Sequence, residues 1–293
     1  MRKFILIVMK NLILRAITGA IYVALICASV IAGGWYFILF FGLISIVALH
    51  EFYSLSNSST GGENVTTLVV DIVGGLIVCV GLSSVNLSLM PPYMTAVMGG
   101  TFFTVYMLYL IVRLVMQIYN QESSPLTNLA YSYMGQMYIA LPLGLMSMYY
   151  TLNDGKALLL IMFIMIWLND TGAFLVGSMI GKHKLFPRIS PKKSWEGFVG
   201  GVLFSIIGGV IAKLYFPDYF ETISMIYLCG LGLVVGIFAT WGDLVESLIK
   251  RTLGVKDSGN ILPGHGGILD CIDSLLLVIP ASLLYLITLT LYT

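Results

Sequence analysis

Runs of about 20 mostly apolar residues recur from end to end of this chain, and a run of that length and character matches the span of a bilayer core as a helix. Turn signals divide the runs into nine predicted spans, near 17–33, 35–54, 66–89, 93–115, 127–150, 157–180, 197–215, 222–245 and 267–291. Gly33-Gly34 makes the first pair a tight hairpin, while Pro91-Pro92, Asn153-Asp154-Gly155 and Pro217-Asp218 separate later spans. Pro280 predicts a kink in the ninth. Only 10% of the 293 residues are charged, and the polar connectors are too short to fold outside the bilayer. The expectation is an all-α polytopic integral membrane protein of about nine transmembrane helices. It forms one domain over 1–293, with N-terminal helices over about 1–150 and a C-terminal half over about 157–293.

Charge asymmetry sets the orientation. With the N-terminus in the cytoplasm, Arg2, Lys3, Lys10, Arg15, Arg113, Lys182, Lys184, Arg188, Lys192, Lys193, Lys250, Arg251 and Lys256 fall on that side, leaving only Lys156 and Lys213 of the fifteen Lys and Arg near the other. Cys27, Cys79, Cys229 and Cys271 lack paired spacing, so no disulfide framework or zinc site is implied. Lys10 and Arg15 interrupt the apolar N-terminus, which reads as a retained approach to the first span rather than a signal peptide. The absence of an internal repeat weakens a transporter built from inverted halves.

Against so apolar a background, Ser247 to Asp273 is exceptional, packing Lys250, Arg251, Lys256, Asp257, His265, Asp270 and Asp273 into one stretch. Intramembrane and boundary charges are costly unless they work, so this stretch marks the site. Helical spacing puts Asp243, Glu246, Ser247 and Lys250 on one face, and Asp270 and Asp273 on one face of the next helix. Converging carboxylates either hold a divalent cation, with Mg²⁺ favoured beside substrate phosphates, or pair with Lys250, Arg251 or Lys256 as staples. Between the two faces, Gly259, Gly264, Gly266 and Gly267 suit a phosphate cradle or a turn requiring positive φ. His265 fits a proton relay, a phosphate contact or a structural turn equally well.

A second cluster runs from Gly181 to Gly197 and follows Trp167-Leu-Asn-Asp-Thr-Gly-Ala173. Its charge satisfies the positive-inside rule and anionic headgroups, yet Lys192, Lys193 and Ser194 also suit a phosphorylated substrate, with Trp195 as an interfacial anchor or a stacking surface. Asp170, inside a span, should face a polar cavity. His50-Glu51 and Arg15 pair either with the site or with each other, a structural role being favoured, and Asp71 reads as more than a surface charge. Small residues Gly200, Gly201, Gly208 and Gly209 suit a homodimer contact or packing within one chain.

These residues resemble the phosphatidate cytidylyltransferase (CDP-diacylglycerol synthase) family. Its spaced signature is matched by Ser247, Lys250, Arg251, Lys256, Asp257, Gly259, Leu262, Pro263, His265, Gly266, Gly267, Asp270 and Asp273. Ser190 to Gly197, Asn169 to Phe174 and Glu51-Phe-Tyr are similar to further family motifs. One departure stands out: Cys271 occupies the place of the family's Arg between the final acids. The resemblance implies transfer of CMP from CTP to phosphatidic acid in a bacterial plasma (inner) membrane, with the site facing the cytoplasm, Mg²⁺ as cofactor and no nucleic-acid partner. It further implies catalytic roles for Lys250, Arg251, Lys256, Asp257 and His265 and metal binding by Asp243, Asp270 and Asp273. Substrate contacts would fall to Asp170, Lys192, Lys193, Ser194, Ser247, Gly266 and Gly267. Alternatives are another membrane phospho-lipid transferase, an ion-coupled transporter using Asp71, Asp170 and Asp243, or an inactive lipid-binding relative.

Overall fold

A computed structural model describes residues 2–60, 65–86, 91–120, 124–261 and 266–292, with side chains described over 17–58, 65–86, 91–120, 124–261 and 266–289. The architecture is helical: α1 (Arg2–Ala32), α2 (Gly34–Thr60), α3 (Val65–Asn86), α4 (Pro92–Tyr119), α5 (Pro125–Gly135), α6 (Leu141–Leu145), α7 (Gly155–Ile180), α8 (Trp195–Tyr215), α9 (Met225–Thr252) and α10 (Ile268–Tyr292). Among the described residues, α2, α3, α4, α7, α8, α9 and α10 supply seven helices long and apolar enough to cross a membrane. The apolar part of α1, Ile17–Ala32, is shorter.

The expected fifth span is not one regular helix. After α5 the backbone passes through a π-helical segment, Gln136–Ala140, then α6, then a 3₁₀ segment, Met146–Thr151. Pro142 lies just beyond the π segment, and a proline ring removes one helical N–H and crowds the preceding turn. The other departure from pure helix is an antiparallel hairpin between α7 and α8, β1 (Lys184–Phe186) and β2 (Ser190–Ser194), pairing Lys184 with Ser194 and Phe186 with Ser190.

The chain divides into two compact units. The first comprises 1–85, 89–141 and 255–272. Gly33 and Gly34, at φ 63° and 53°, make the expected tight reversal between α1 and α2. Phe37, Phe41, Ala48 and Phe52 form one buried stripe of α2 at helical spacing. Within this unit Asp71 of α3 and Arg113 of α4 form a buried ion pair at 2.9 Å, which Ser132 of α5 completes.

The second unit comprises 86–88, 142–254 and 273–293. Its α7 and α8 meet along glycines: a Cβ on Gly200 would lie 2.5 Å from Val176 Cβ, and one on Gly197 would lie 2.8 Å from the Ala173 carbonyl. Gly201 and Gly208 likewise face Asn169 and Leu168 of α7, while Gly209 faces Leu228 of α9 (Met225–Thr252). The small-residue face therefore packs helices within one chain. Leu228, Leu231, Val235 and Ala239 of α9 complete the core. Side-chain caps begin two of these helices: Ser194 Oγ accepts from Gly197 N at 3.2 Å for α8, and Ser224 Oγ accepts from Tyr227 N at 3.4 Å for α9.

Candidate active site

In the second unit, a cavity of about 460 Å³ opens between α7, the hairpin, α8 and α9. Its polar lining is Asn169, Asp170, Lys192, Lys193, Ser194, Thr240 and Asp243, and its apolar lining includes Ala173, Phe174, Leu185 and Phe198. Asp170 faces this polar cavity, as expected for an acid inside a span. The hairpin delivers the lysines, and Phe186 seats it against Trp241 of α9 with ring centroids 5.6 Å apart.

Lys193 Nζ lies 2.6 Å from Asp243 Oδ2 and donates to the Thr240 carbonyl at 3.4 Å. Ser247 Oγ, one turn along α9, donates to Asp243 Oδ1 at 3.2 Å. A turn further, Lys250 Nζ meets Glu246 Oε2 at 2.5 Å. The predicted acidic face of α9 thus exists, and each of these two acids has a lysine beside it. Asp273 of α10 lies within electrostatic range of Asp243, Glu246 and Asp170. The two helices approach closely there: a Cβ on Gly242 would stand 2.7 Å from the Asp273 carbonyl oxygen. Arg251 is exposed at the end of α9.

The remaining signature residues belong to the first unit. Lys256 and Asp257 are exposed on the loop after α9. His265, with Leu262, Pro263 and Gly264, lies outside the described residues. Asp270 Oδ2 accepts from Ser258 N at 2.9 Å, Ser258 Oγ at 3.0 Å and Gly267 N at 2.8 Å. The Gly267 amide, expected from the sequence to meet substrate phosphate, is therefore turned toward a side chain of the protein. Gly266 has φ 95°, so the loop needs a glycine for its backbone shape. Cys271 is half-buried, and its carbonyl accepts from the Tyr22 hydroxyl at 3.3 Å.

Among the described residues, no three His, Cys, Asp or Glu side chains form a ready-made metal cluster. Mg²⁺ held jointly with substrate phosphates needs only one or two carboxylates, and Asp243, which lines the cavity, has Asp273 within electrostatic range. Asn169 opens a stretch similar to a family motif but is given no site role by the sequence, and Thr240 is given none. Asn169 is 1% exposed, and its Nδ2 points to Thr240 Oγ1 at 3.5 Å, at the floor of the cavity. An uncharged amide and hydroxyl on different helices carry no spacing signal.

Comparison with known proteins gives this geometry a context. The model described as Cytidylyltransferase family matches residues 13–289. Phosphatidate cytidylyltransferase of Staphylococcus aureus (strain COL) is 36% identical over 267 residues, covering 91% of this chain and 95% of that protein. Phosphatidate cytidylyltransferase of Staphylococcus haemolyticus (strain JCSC1435) is 46% identical over 151 residues, 52% of this chain and 56% of its own. The Staphylococcus saprophyticus protein of the same name is 47% identical over 138 residues, 47% of this chain and 52% of its own.

Proposed function

Because the chain belongs to the cytidylyltransferase family, we propose that its substrates are CTP and phosphatidate and its products CDP-diacylglycerol and pyrophosphate. The observation that carries the reading is a cavity walled by membrane-spanning helices yet lined by Lys192, Lys193 and Asp243. A lipid phosphate and a nucleotide triphosphate both need such a boundary, with apolar walls for one and fixed cations for the other.

In the transfer, a phosphatidate oxygen attacks the α-phosphorus of CTP. The new P–O bond forms as the bond from the α-phosphorus to the bridging oxygen breaks, and that oxygen leaves on pyrophosphate. Phosphatidate is already ionised, so the chain need not supply a strong base. What it must do is align the two anions and offset their repulsion. Lys192 and Lys193 would hold phosphate, while Lys250, Arg251 and Lys256 are assigned to the triphosphate and departing pyrophosphate. Ser194 is 6% exposed and caps α8, so it would act by holding the adjacent lysines in place. Ser247 would act through Asp243. Asp257 and His265 keep unassigned roles within this mechanism.

Asp243 and Asp273 would hold Mg²⁺, which when bound would screen the phosphate charges and polarise the reacting phosphoryl group. Asp270 is the third assigned acid, with Oδ2 engaged by the loop. The basic residues gathered on one side support a cytoplasmic site in a bacterial plasma membrane. A homodimer draws no support from the α8 glycines, which pack inside the chain.

The test is pyrophosphate release by purified protein in detergent. Turnover that requires CTP, phosphatidate and Mg²⁺ together upholds the reading. Turnover with another nucleotide or phospho-lipid donor replaces it by the broader transferase reading. Activity that appears only in Cys271→Arg would show that this chain is the inactive relative.

A further inference from the structure

We propose that Glu51 is a positioning residue for the transfer, holding the signature loop and the first turn of α10 in the geometry that presents Lys256, Asp257 and Asp270. The inference rests on the cytidylyl-transfer reading above. Glu51 lies on α2, more than 200 positions upstream of its partners, and is 4% exposed. Its Oε1 accepts from Ile268 N at 3.0 Å, and its Oε2 accepts from Leu269 N at 2.8 Å. Those are opening amides of α10, which have no partner inside their own helix and sit at the positive end of its dipole. A buried carboxylate here answers both the donors and the field.

The same carboxylate organises the loop before the helix. Ser258 Oγ lies 3.2 Å from Glu51 Oε2 and 3.0 Å from Asp270 Oδ2, so one buried hydroxyl bridges the α2 acid and the signature acid. A Cβ on Gly259 would fall 2.6 Å from Glu51 Oε1, and a Cβ on Gly267 would meet Ser258 Oγ first and lie 2.5 Å from Glu51 Oε2. Two signature glycines thus make room for Glu51 and its partner Ser258, and Glu51 lies outside the spaced signature. Only a carboxylate meets these donors on both of its oxygens, because glutamine would set an NH₂ group against N–H donors that need an acceptor.

The experiment uses the full chain in detergent and compares the parent with Glu51→Gln, Ser258→Ala and the double variant. Steady-state pyrophosphate release, thermal unfolding and amide exchange at 268–269 are measured on each. Partners that orient metal-ligating side chains typically contribute about 10–100-fold, so, with Asp270 assigned to metal, Glu51→Gln is expected to lower kcat by that factor at a temperature where the variant stays folded, with a modest fall in melting temperature from the donor left without an acceptor. KM for CTP should change much less than kcat, and exchange at 268–269 should accelerate. Ser258→Ala should cost far less in the Glu51→Gln background than in the parent, since both act through one contact set. Parent-like kcat in Glu51→Gln, or a loss of turnover matched by an equal loss of folded protein, overturns the proposal. If the parent releases no pyrophosphate, the transfer reading fails by itself. Exchange then judges the clamp: acceleration upholds it, and parent-like exchange overturns it.

Discussion

Two ion pairs inside this membrane protein are built from the same chemistry and differ in how completely they are satisfied. In the first unit, Arg113 is 0% exposed and Asp71 3%. Asp71 Oδ1 takes Arg113 Nε at 2.9 Å and the Tyr109 hydroxyl at 2.9 Å, Ser132 donates to Oδ2, and Arg113 also reaches Ser132 and Gln117. In the second unit, the Lys193 and Asp243 side chains are 24% and 36% exposed and line a cavity. A saturated pair fixes three helices together, whereas a pair left open to a cavity can exchange partners with a substrate. Charge inside a span can thus be held in complete coordination or left open to a cavity, and only the second arrangement leaves it available to a bound group, which qualifies the general expectation for intramembrane acids.

The largest expected effect breaks the saturated pair. Arg113→Met strands Asp71 among polar neighbours and should cost about 3–5 kcal/mol of stability. The check is loss of folded protein in a detergent thermal melt, with restoration in Asp71→Leu/Arg113→Met. A parent-like melt for the single variant would erase the contrast between the pairs. Asp243→Asn tests the other side: kcat should fall about 10²–10³-fold, as when a pre-placed charged group is lost from a site, while the melting temperature stays near that of the parent. Gly242→Ala should do both in smaller measure. Its Cβ would press on the α10 backbone at Asp273 and Ser274, costing about 1–3 kcal/mol and lowering turnover by shifting Asp243 against Asp273. At the bottom of the scale is the exposed His183–Glu196 contact at 2.6 Å, where Glu196 also accepts from His183 N. His183→Ala keeps that backbone anchor and should leave both melting and turnover unchanged, since exposed pairs contribute little.

Much of this arrangement is legible in the residues, for reasons that also mark where legibility stops. Hydropathy and turn residues find spans because bilayer thickness imposes a length. Spacing on one helix finds the Asp243, Glu246, Ser247 and Lys250 face because the helical period is fixed. The break in the fifth span has a signal in Pro142, but the apolar run continues through it and outweighs the proline. The hairpin at 184–194 has none, because a strand of Ser, Pro and Lys lacks the alternation and β-branched content that announces one. The sequence leaves Glu51 between pairing with the site and a favoured structural role, because its link to Ser258, Ile268 and Leu269 is a contact across more than 200 residues that no periodicity encodes.

The glycine seam between α7 and α8 carries a mechanical consequence. Where Gly172, Gly197, Gly200 and Gly201 meet the opposing helix, no side chain on the glycine side can change rotamer, and a Cβ would stand within 3 Å of Phe204, the Ala173 carbonyl, Val176 and Asn169 respectively. The two helices meet at close to backbone distance along this seam. A tilt forced on one by a thicker or thinner membrane must be carried by the other, so Asp170 and the lysines leading into α8 move as one lever, and bilayer composition acts on the cavity as a whole instead of on its walls separately.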